Sequence, residues 1–228
     1  VNFGNCLAGY IAKLMGLPVH QFIVASNKNN ILTDFFKTGK YDINREFYKT
    51  NAPAMDILVS SNLERLIYFM CKDSQVVKEY MNKLSENGVY QIDDHIYEKI
   101  KKQFQADWLD EEEVQQYIME CYEQYGYVLD THTAVGYGVY QKYKKDTQDH
   151  TKNILLATAS PYKFPQSVYQ AITNKTLDDY EAIEELYKTT GVEIPEPLQN
   201  IQERQVRHHK VIDQEDIVDF ISQKVEKM

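Results

Sequence analysis

The sequence predicts a helix-rich α/β fold with few strands, and three observations carry that prediction. Two short apolar runs, residues 20–27 and 153–160, have the length and the polar boundaries of buried strands. Nearly all of the chain between and around them repeats apolar residues at helical spacing behind capping residues. The first run also follows directly on a loop and a helix, the order found in half of an α/β crossover unit.

The chain opens on a polar loop, Asn2-Phe3-Gly4-Asn5, with Asn5 the expected N-cap of a helix whose one face carries Leu7, Ala8, Ile11, Ala12 and Met15. Gly16 and Pro18 stop it. A loop of small and amide residues ahead of a helix turns backbone N–H groups outward at the positive end of the helix dipole, which suits a phosphate. A single glycine in that place serves packing equally well. Residues 20–27 read as the first strand, and Asn29 or Asn30 caps a short helix over 31–37 that Gly39 ends. After the irregular stretch 40–53, Ser60-Ser61-Asn62 caps a helix bearing Leu63, Leu66, Ile67 and Met70.

From 74 to 129 the pattern is almost wholly helical, with Val76, Val77, Tyr80, Met81 and Leu84 on one segment. On another, Asp110-Glu111-Glu112-Glu113 precedes Val114, Tyr117, Ile118, Cys121 and Tyr122. That acid run matches a helix dipole and needs no metal. Thr133 is the expected cap of a helix whose first turns hold Gly136 and Gly138, each costing about 1 kcal/mol against alanine, so close packing is expected there. The second strand, 153–160, ends in the hydroxyls Thr158 and Ser160, and strand ends in open α/β sheets are where ligands sit. Lys163-Phe164-Pro165 starts a further helix, residues 176–179 cap the next, residues 194–197 form a rigid connector, and Asp213 caps the last.

A formal charge of −9 over 228 residues argues against nucleic acid or an anionic membrane as partner, and no apolar stretch is long enough to span a bilayer. Cys6, Cys71 and Cys121 are odd in number and far apart, which points to free thiols in a reducing, cytoplasmic setting. Eighteen tyrosines against one tryptophan is a marked bias to which no function attaches at this level. Neither His132 with Asp130 nor His95 with Asp93 and Asp94 has the paired ligands of a zinc site. Ser60, His132 and Asp130 could be written as a hydrolase triad, yet no G-x-S-x-G elbow is present. Residues 204–210 form a basic island, read first as a solvated surface.

The wording of four stretches adds to this. Asn2-Phe3-Gly4-Asn5 with Leu7-Ala8-Gly9-Tyr10-Ile11-Ala12-Lys13-Leu14-Met15-Gly16-Leu17-Pro18 resembles the phosphate-loop and helix segment of threonine synthases, which are pyridoxal-phosphate enzymes. Residues 54–66, 130–137 and 157–164 fit the same family in the same order. The resemblance spans nearly the whole chain, with 74–129 the least diagnostic part. It implies the C-terminal portion of a fold type II pyridoxal enzyme, a three-layer αβα architecture with a helical insertion. Its parts would be 1–73, the phosphate-loop half of the cofactor domain; 74–129, the insertion; and 130–228, the rest of that domain with the C-terminal helices.

The resemblance further implies that backbone N–H groups of Asn2, Phe3, Gly4 and Asn5 bind the phosphate of pyridoxal 5′-phosphate and that the Thr158 hydroxyl meets the pyridine nitrogen. Ser61, Asn62, Arg65 and His132 become candidates for the substrate, O-phospho-L-homoserine, which the family converts with water to L-threonine and phosphate. Arg65 is the candidate phosphate partner, and an ordinary helix arginine remains an open reading. Two departures stand out. Val1 occupies a position where the family has glycine, and the Ser-Phe-Lys-Asp motif of the Schiff-base lysine does not occur in this chain; Lys163 belongs to a different motif. The chain is therefore expected to lack its catalytic lysine, to require an N-terminal part of the same enzyme, and to be inactive alone; a homodimer is allowed. Another pyridoxal-dependent β/γ-lyase or deaminase, and a non-catalytic threonine-synthase-like binding protein, stay open as alternatives.

Overall fold

A computed structural model describes residues 2–207 and 209–226; Val1, at the departing loop position, and His208, within the basic island, lie outside the described residues. The chain divides into two compact units that meet in sequence at Ile194 and Pro195, inside the expected rigid connector.

In the first unit, α1 (Gly4–Leu14) leads to β1 (Phe22–Ser26), α2 (Ile31–Thr38) and β2 (Lys40–Asp42). Then come α3 (Leu63–Cys71), α4 (Ser74–Asn87), β3 (Val89–Gln91), α5 (Asp94–Lys101) and β4 (Phe104–Trp108). The unit closes with α6 (Glu111–Tyr125), α7 (Thr131–Thr147), α8 (Pro165–Thr173) and α9 (Asp179–Thr190). The stretch 74–129 thus holds two strands as well as helices. Both were missed because runs of three to five residues leave too little periodicity to register.

β1 and β4 pair in parallel, Phe22 opposite Phe104 and Ser26 opposite Trp108, so the crossover between them contains α2 to α5. β2 and β3 pair antiparallel, with Tyr41 opposite Tyr90. The core gathers Phe3, Leu7 and Tyr10 from the start of the chain, Val24 of β1, Ile31, Leu32, Phe35 and Phe36 of α2, Leu63, Leu66 and Ile67 of α3, and Phe104 of β4. Caps set several helix starts: Asp110 and Glu113 close a reciprocal capping box on α6, and Asp178 accepts the N–H groups of Tyr180 and Glu181 at the head of α9.

Three expectations need correction. Helix α1 begins two residues earlier than an Asn5 cap allows; Phe3 is its N-cap, in the left-handed region at φ 58°. The cap of α7 is Asp130, whose carboxylate accepts the N–H groups of His132 and Thr133; Thr133 lies inside the first turn. Residues 153–160 are not a strand. They have no ladder partner among the described residues, and Ile154 is 82% exposed. An apolar run is a strand only where a neighbour supplies the other half of its hydrogen bonds, and the run itself cannot encode that neighbour. No helix among the described residues is long and apolar enough to cross a membrane.

The second unit is built from short 3-10 turns at Glu196–Leu198, Ile201–Glu203 and Gln214–Asp216, followed by α10 (Ile217–Val225). Within it Arg204 donates to the Glu196 and Gln199 carbonyls, and the Lys210 ammonium lies 4.5 Å over the Phe220 ring.

The close packing expected at the glycines of α7 is present. A Cβ on Gly138 would run into the side chains of Tyr117 and Leu109, while one on Gly136 would meet Leu155 Cδ1 at 3.0 Å. Gly138→Ala is expected to cost about 1–3 kcal/mol of unfolding free energy, measured by urea denaturation, because overpacking forces neighbours off their rotamers. An unchanged midpoint would mean that the helix contact yields freely.

Candidate functional site

The site grows from the start of α1. Phe3 turns its ring wholly into the core, 5.5 Å from Phe36 and 5.9 Å from Phe104, and leaves its backbone to set the entry of the helix. A bulky residue in the left-handed region is uncommon and costs about 1–3 kcal/mol, a strain that the surrounding packing must hold. The first α-helical bond of α1 runs from the Leu7 N–H to the Phe3 carbonyl at 2.9 Å. The N–H groups of Gly4, Asn5 and Cys6 precede it at the positive end of the helix. Gly4 and Asn5 are exposed there.

The loop ahead of this helix is laced to the start of α3. Asn2 Oδ1 accepts both the Ser61 N–H and the Ser61 hydroxyl at 3.0 Å, and the Asn2 carbonyl accepts Asn62 Nδ2 at 2.8 Å. Arg65 in turn donates through Nη1 to Asn62 Oδ1. It makes no ion pair among the described residues, so an uncompensated guanidinium sits on the same lattice. Asn2, Ser61, Asn62 and Arg65 are therefore brought together. A Cβ on Gly4 would find Asn62 Nδ2 at 3.8 Å, which places the helix start beside them.

A second lattice forms around Asp130. Its Oδ1 accepts the His132 backbone N–H at 2.9 Å and lies 3.0 Å from His132 Nδ1, while Oδ2 accepts the Thr133 hydroxyl. Burial of Asp130 opposes its charge, but hydrogen bonds from His132 and Thr133 outweigh it and hold the carboxyl below its ordinary value. The Thr133 oxygen accepts the Thr158 N–H at 3.1 Å, so Thr158 is joined to Asp130 through one intermediary. Thr158 itself is exposed, and its hydroxyl has no partner among the described residues.

His132 does not present a free nitrogen. Its Nε2 accepts the Ala54 N–H at 3.1 Å, so Nε2 is unprotonated and the proton sits on Nδ1, facing Asp130. Phe164 packs on the ring at 5.2 Å between centroids. This geometry makes His132 a strut between α7 and the loop holding Ala54, and rules out the Ser60–His132–Asp130 relay in this arrangement. Among the described residues no group of His, Cys, Asp and Glu is placed to hold a metal.

The loop that carries Ala54 is tied down by Asp56. Its Oδ1 accepts Asn27 Nδ2 at 2.7 Å, Asn29 Nδ2 at 3.0 Å and the Thr50 hydroxyl at 2.8 Å, and its Oδ2 accepts the Thr50 N–H at 2.8 Å. Asn27 and Asn29 follow directly on β1, so the strand end and the loop move as one. Sequence reasoning missed Asp56 and Asn27 because their meaning lies in a pairing across 29 residues. Asp130 carried a readable signal, since an aspartate two residues ahead of His132 fits an N-cap at least as well as Thr133 does.

The donor set suits a phosphorylated cofactor. Ser60, one residue before the Asn2 contacts, is 8% exposed, and its hydroxyl is buried with no partner, an unsatisfied donor beside the loop. Together with the helix start and the unpaired guanidinium, it makes a neutral-to-positive corner in an acidic protein.

Comparison with known proteins decides the family. Residues 133–221 match the family model described as threonine synthase, C-terminal. The chain is 41% identical over 181 residues to threonine synthase-like 1 of Homo sapiens, which covers 78% of this chain and 24% of that protein. The crystal structure of threonine synthase from yeast aligns with a TM-score of 0.83 at 31% identity, over 100% of this chain and 46% of that one.

The chain belongs to the threonine synthase family.

A pyridoxal-phosphate-bound threonine synthase from Brucella melitensis also aligns, at 34% identity and a TM-score of 0.69, over 79% of this chain and 39% of that one. The helix-rich α/β architecture with few strands is that of these fold type II pyridoxal enzymes. The chain spans about a quarter to less than half of the length of the relatives it matches.

The depressed pKa of Asp130 makes a signed prediction. A carboxyl whose folded value lies below its unfolded one contributes stability above about pH 4, and that contribution fades as pH falls through the folded value. Wild-type urea midpoints should therefore drop on acidification below about pH 4, and Asp130→Asn should be less stable near neutrality by about 1–3 kcal/mol and flatter in acid. Parallel pH profiles for the two would remove Asp130 as a charged strut.

Proposed function

We propose that this chain is the phosphate-loop portion of a threonine synthase that converts O-phospho-L-homoserine and water to L-threonine and phosphate. Pyridoxal 5′-phosphate, when bound, supplies the electron sink for that elimination and hydration. The observation that carries the reading is the lashing of the α1 start to Ser61 and Asn62 with an unpaired Arg65 alongside.

Backbone N–H groups from Asn2 to Asn5 bind the cofactor phosphate, as helix starts do. The Thr158 hydroxyl, oriented by its own N–H on Thr133, meets the pyridine nitrogen. Ser61 and Asn62 face the substrate, and Arg65 clamps its phosphate with a planar pair of donors. His132 acts one step back, by holding the Ala54 loop. Covalent attachment and proton movement at the substrate belong to a lysine outside this chain, in an upstream part of the same protein, so the chain alone is inactive. The exposed run 153–160 supports that reading, since its apolar residues have no ladder partner among the described residues.

The test joins the chain to its upstream part and follows release of inorganic phosphate from O-phospho-L-homoserine. Turnover is expected in the joined protein and none in the isolated chain, and Arg65→Ala should raise KM about 10- to 100-fold, the worth of a charge-assisted pair. Deamination of serine or threonine without phosphate release would point to another pyridoxal lyase, and binding without turnover to a threonine-synthase-like binding protein. A borohydride-stable adduct on any lysine of this chain would overturn the assignment of the lysine.

A further inference from the structure

Among the described residues no helix or strand includes the turn at Leu58–Ser60, although Ser61 and Asn62 depend on it. What holds it is a single phenol. Tyr41 Oη accepts the Ser60 N–H at 2.8 Å and donates to the Leu58 carbonyl at 3.0 Å, spanning the turn from inside. Tyr41 is 2% exposed and sits on β2 directly opposite Tyr90 on β3. The two rings stack at 5.4 Å with 12° between planes, and Tyr80 of α4 stacks on the far side of Tyr90 at 5.5 Å and 17°. Phe35 of α2 closes the side of the stack, edge-on to Tyr41 at 6.0 Å. Such a stack fixes the ring plane, and a fixed ring plane fixes where the hydroxyl points.

We propose that Tyr41 is a positioning residue for the phosphate site: its hydroxyl sets the Leu58–Ser60 turn and thereby presents Ser61 and Asn62 to Asn2. The consequence is that β2, β3 and α4 bear on the Ser61 and Asn62 contacts through three tyrosines. Burial pushes the Tyr41 hydroxyl up to about 12, so it stays a donor throughout the physiological range. The inference rests on the phosphate-site reading above only for its functional consequence; the mechanical part stands on the hydrogen bonds alone.

Tyr41→Phe keeps the ring and removes only the hydroxyl. In the full chain, amide hydrogen exchange at Ser60, Ser61 and Asn62 should quicken about 10-fold, with β1 and β4 unchanged, as loss of one local tie predicts. Tyr80→Phe, which instead removes the acceptor of the Asp93 N–H, should leave those amides at wild-type rates. Exchange that is unchanged in Tyr41→Phe, or raised equally in both variants, overturns the proposal. A second readout titrates both proteins, each joined to its upstream part, with pyridoxal 5′-phosphate by fluorescence: Tyr41→Phe should bind about 3- to 10-fold more weakly. If wild type binds and Tyr41→Phe binds equally well, the positioning role fails. If wild type does not bind, the phosphate-site reading fails, and the exchange rates alone decide whether Tyr41 holds the turn.

Discussion

The Asp56 carboxylate is the constraint on which both halves of the candidate site depend. It gathers the Asn27 and Asn29 amides at the end of β1 and both donors of Thr50 into one cluster. From that cluster the chain runs two ways. Toward its N-terminal side, residues 50–54 offer the Ala54 N–H to His132, and so reach Asp130, Thr133 and Thr158. Toward its C-terminal side, residues 57–62 pass the Tyr41 hydroxyl and end on Asn2. A carboxylate with four donors is a strong anchor because each of those hydrogen bonds is charge-assisted. Losing it would release two lattices whose members have few other long-range ties.

The same arrangement explains why so little regular sheet suffices. Parallel pairing of β1 and β4 fixes where residues 27–29 emerge, and the antiparallel β2–β3 pair fixes Tyr41. The loops beyond those points are positioned by side-chain hydrogen bonds, many of them to backbone groups, which is the means open to segments without a ladder. Phe3 belongs to this scheme in reverse. Its ring is held in the aromatic core, and its strained backbone passes that fixed position on to the start of α1.

What could be read from the sequence follows from how local the information is. The acid run at the head of α6, the Gly39 stop and the first strand are each encoded within a few residues, and the structure has them where the pattern places them. The loop of residues 2–5 and the helix after it were legible as a polar loop feeding a helix, though the helix start was misplaced at Asn5, because a phenylalanine in the left-handed region has no local signature. The run 153–160 failed for the opposite reason: its composition is that of a strand, but a strand is defined by a partner. For the candidate site, Asn2, Ser61, Asn62 and Arg65 could be named from the sequence but not joined, since their contacts bridge about sixty positions.

The tyrosine bias, mute in the sequence, acquires a physical account here. Four of these hydroxyls donate to backbone carbonyls in other parts of the chain, Tyr41 to Leu58, Tyr97 to Lys37, Tyr122 to Thr189 and Tyr162 to Val192, and Tyr143 reaches the side chains of Gln21 and Asp149. Phenylalanine would fill the same space but leave those acceptors without a donor, and tryptophan carries its N–H on the flank of a larger ring. A fold with many helices and connecting loops but few ladders exposes many carbonyls that no neighbouring strand can satisfy. Tyrosine answers both needs with one side chain, an apolar ring for the core and a donor at its tip. Its abundance is what a chain requires when its loops must be as well fixed as its helices.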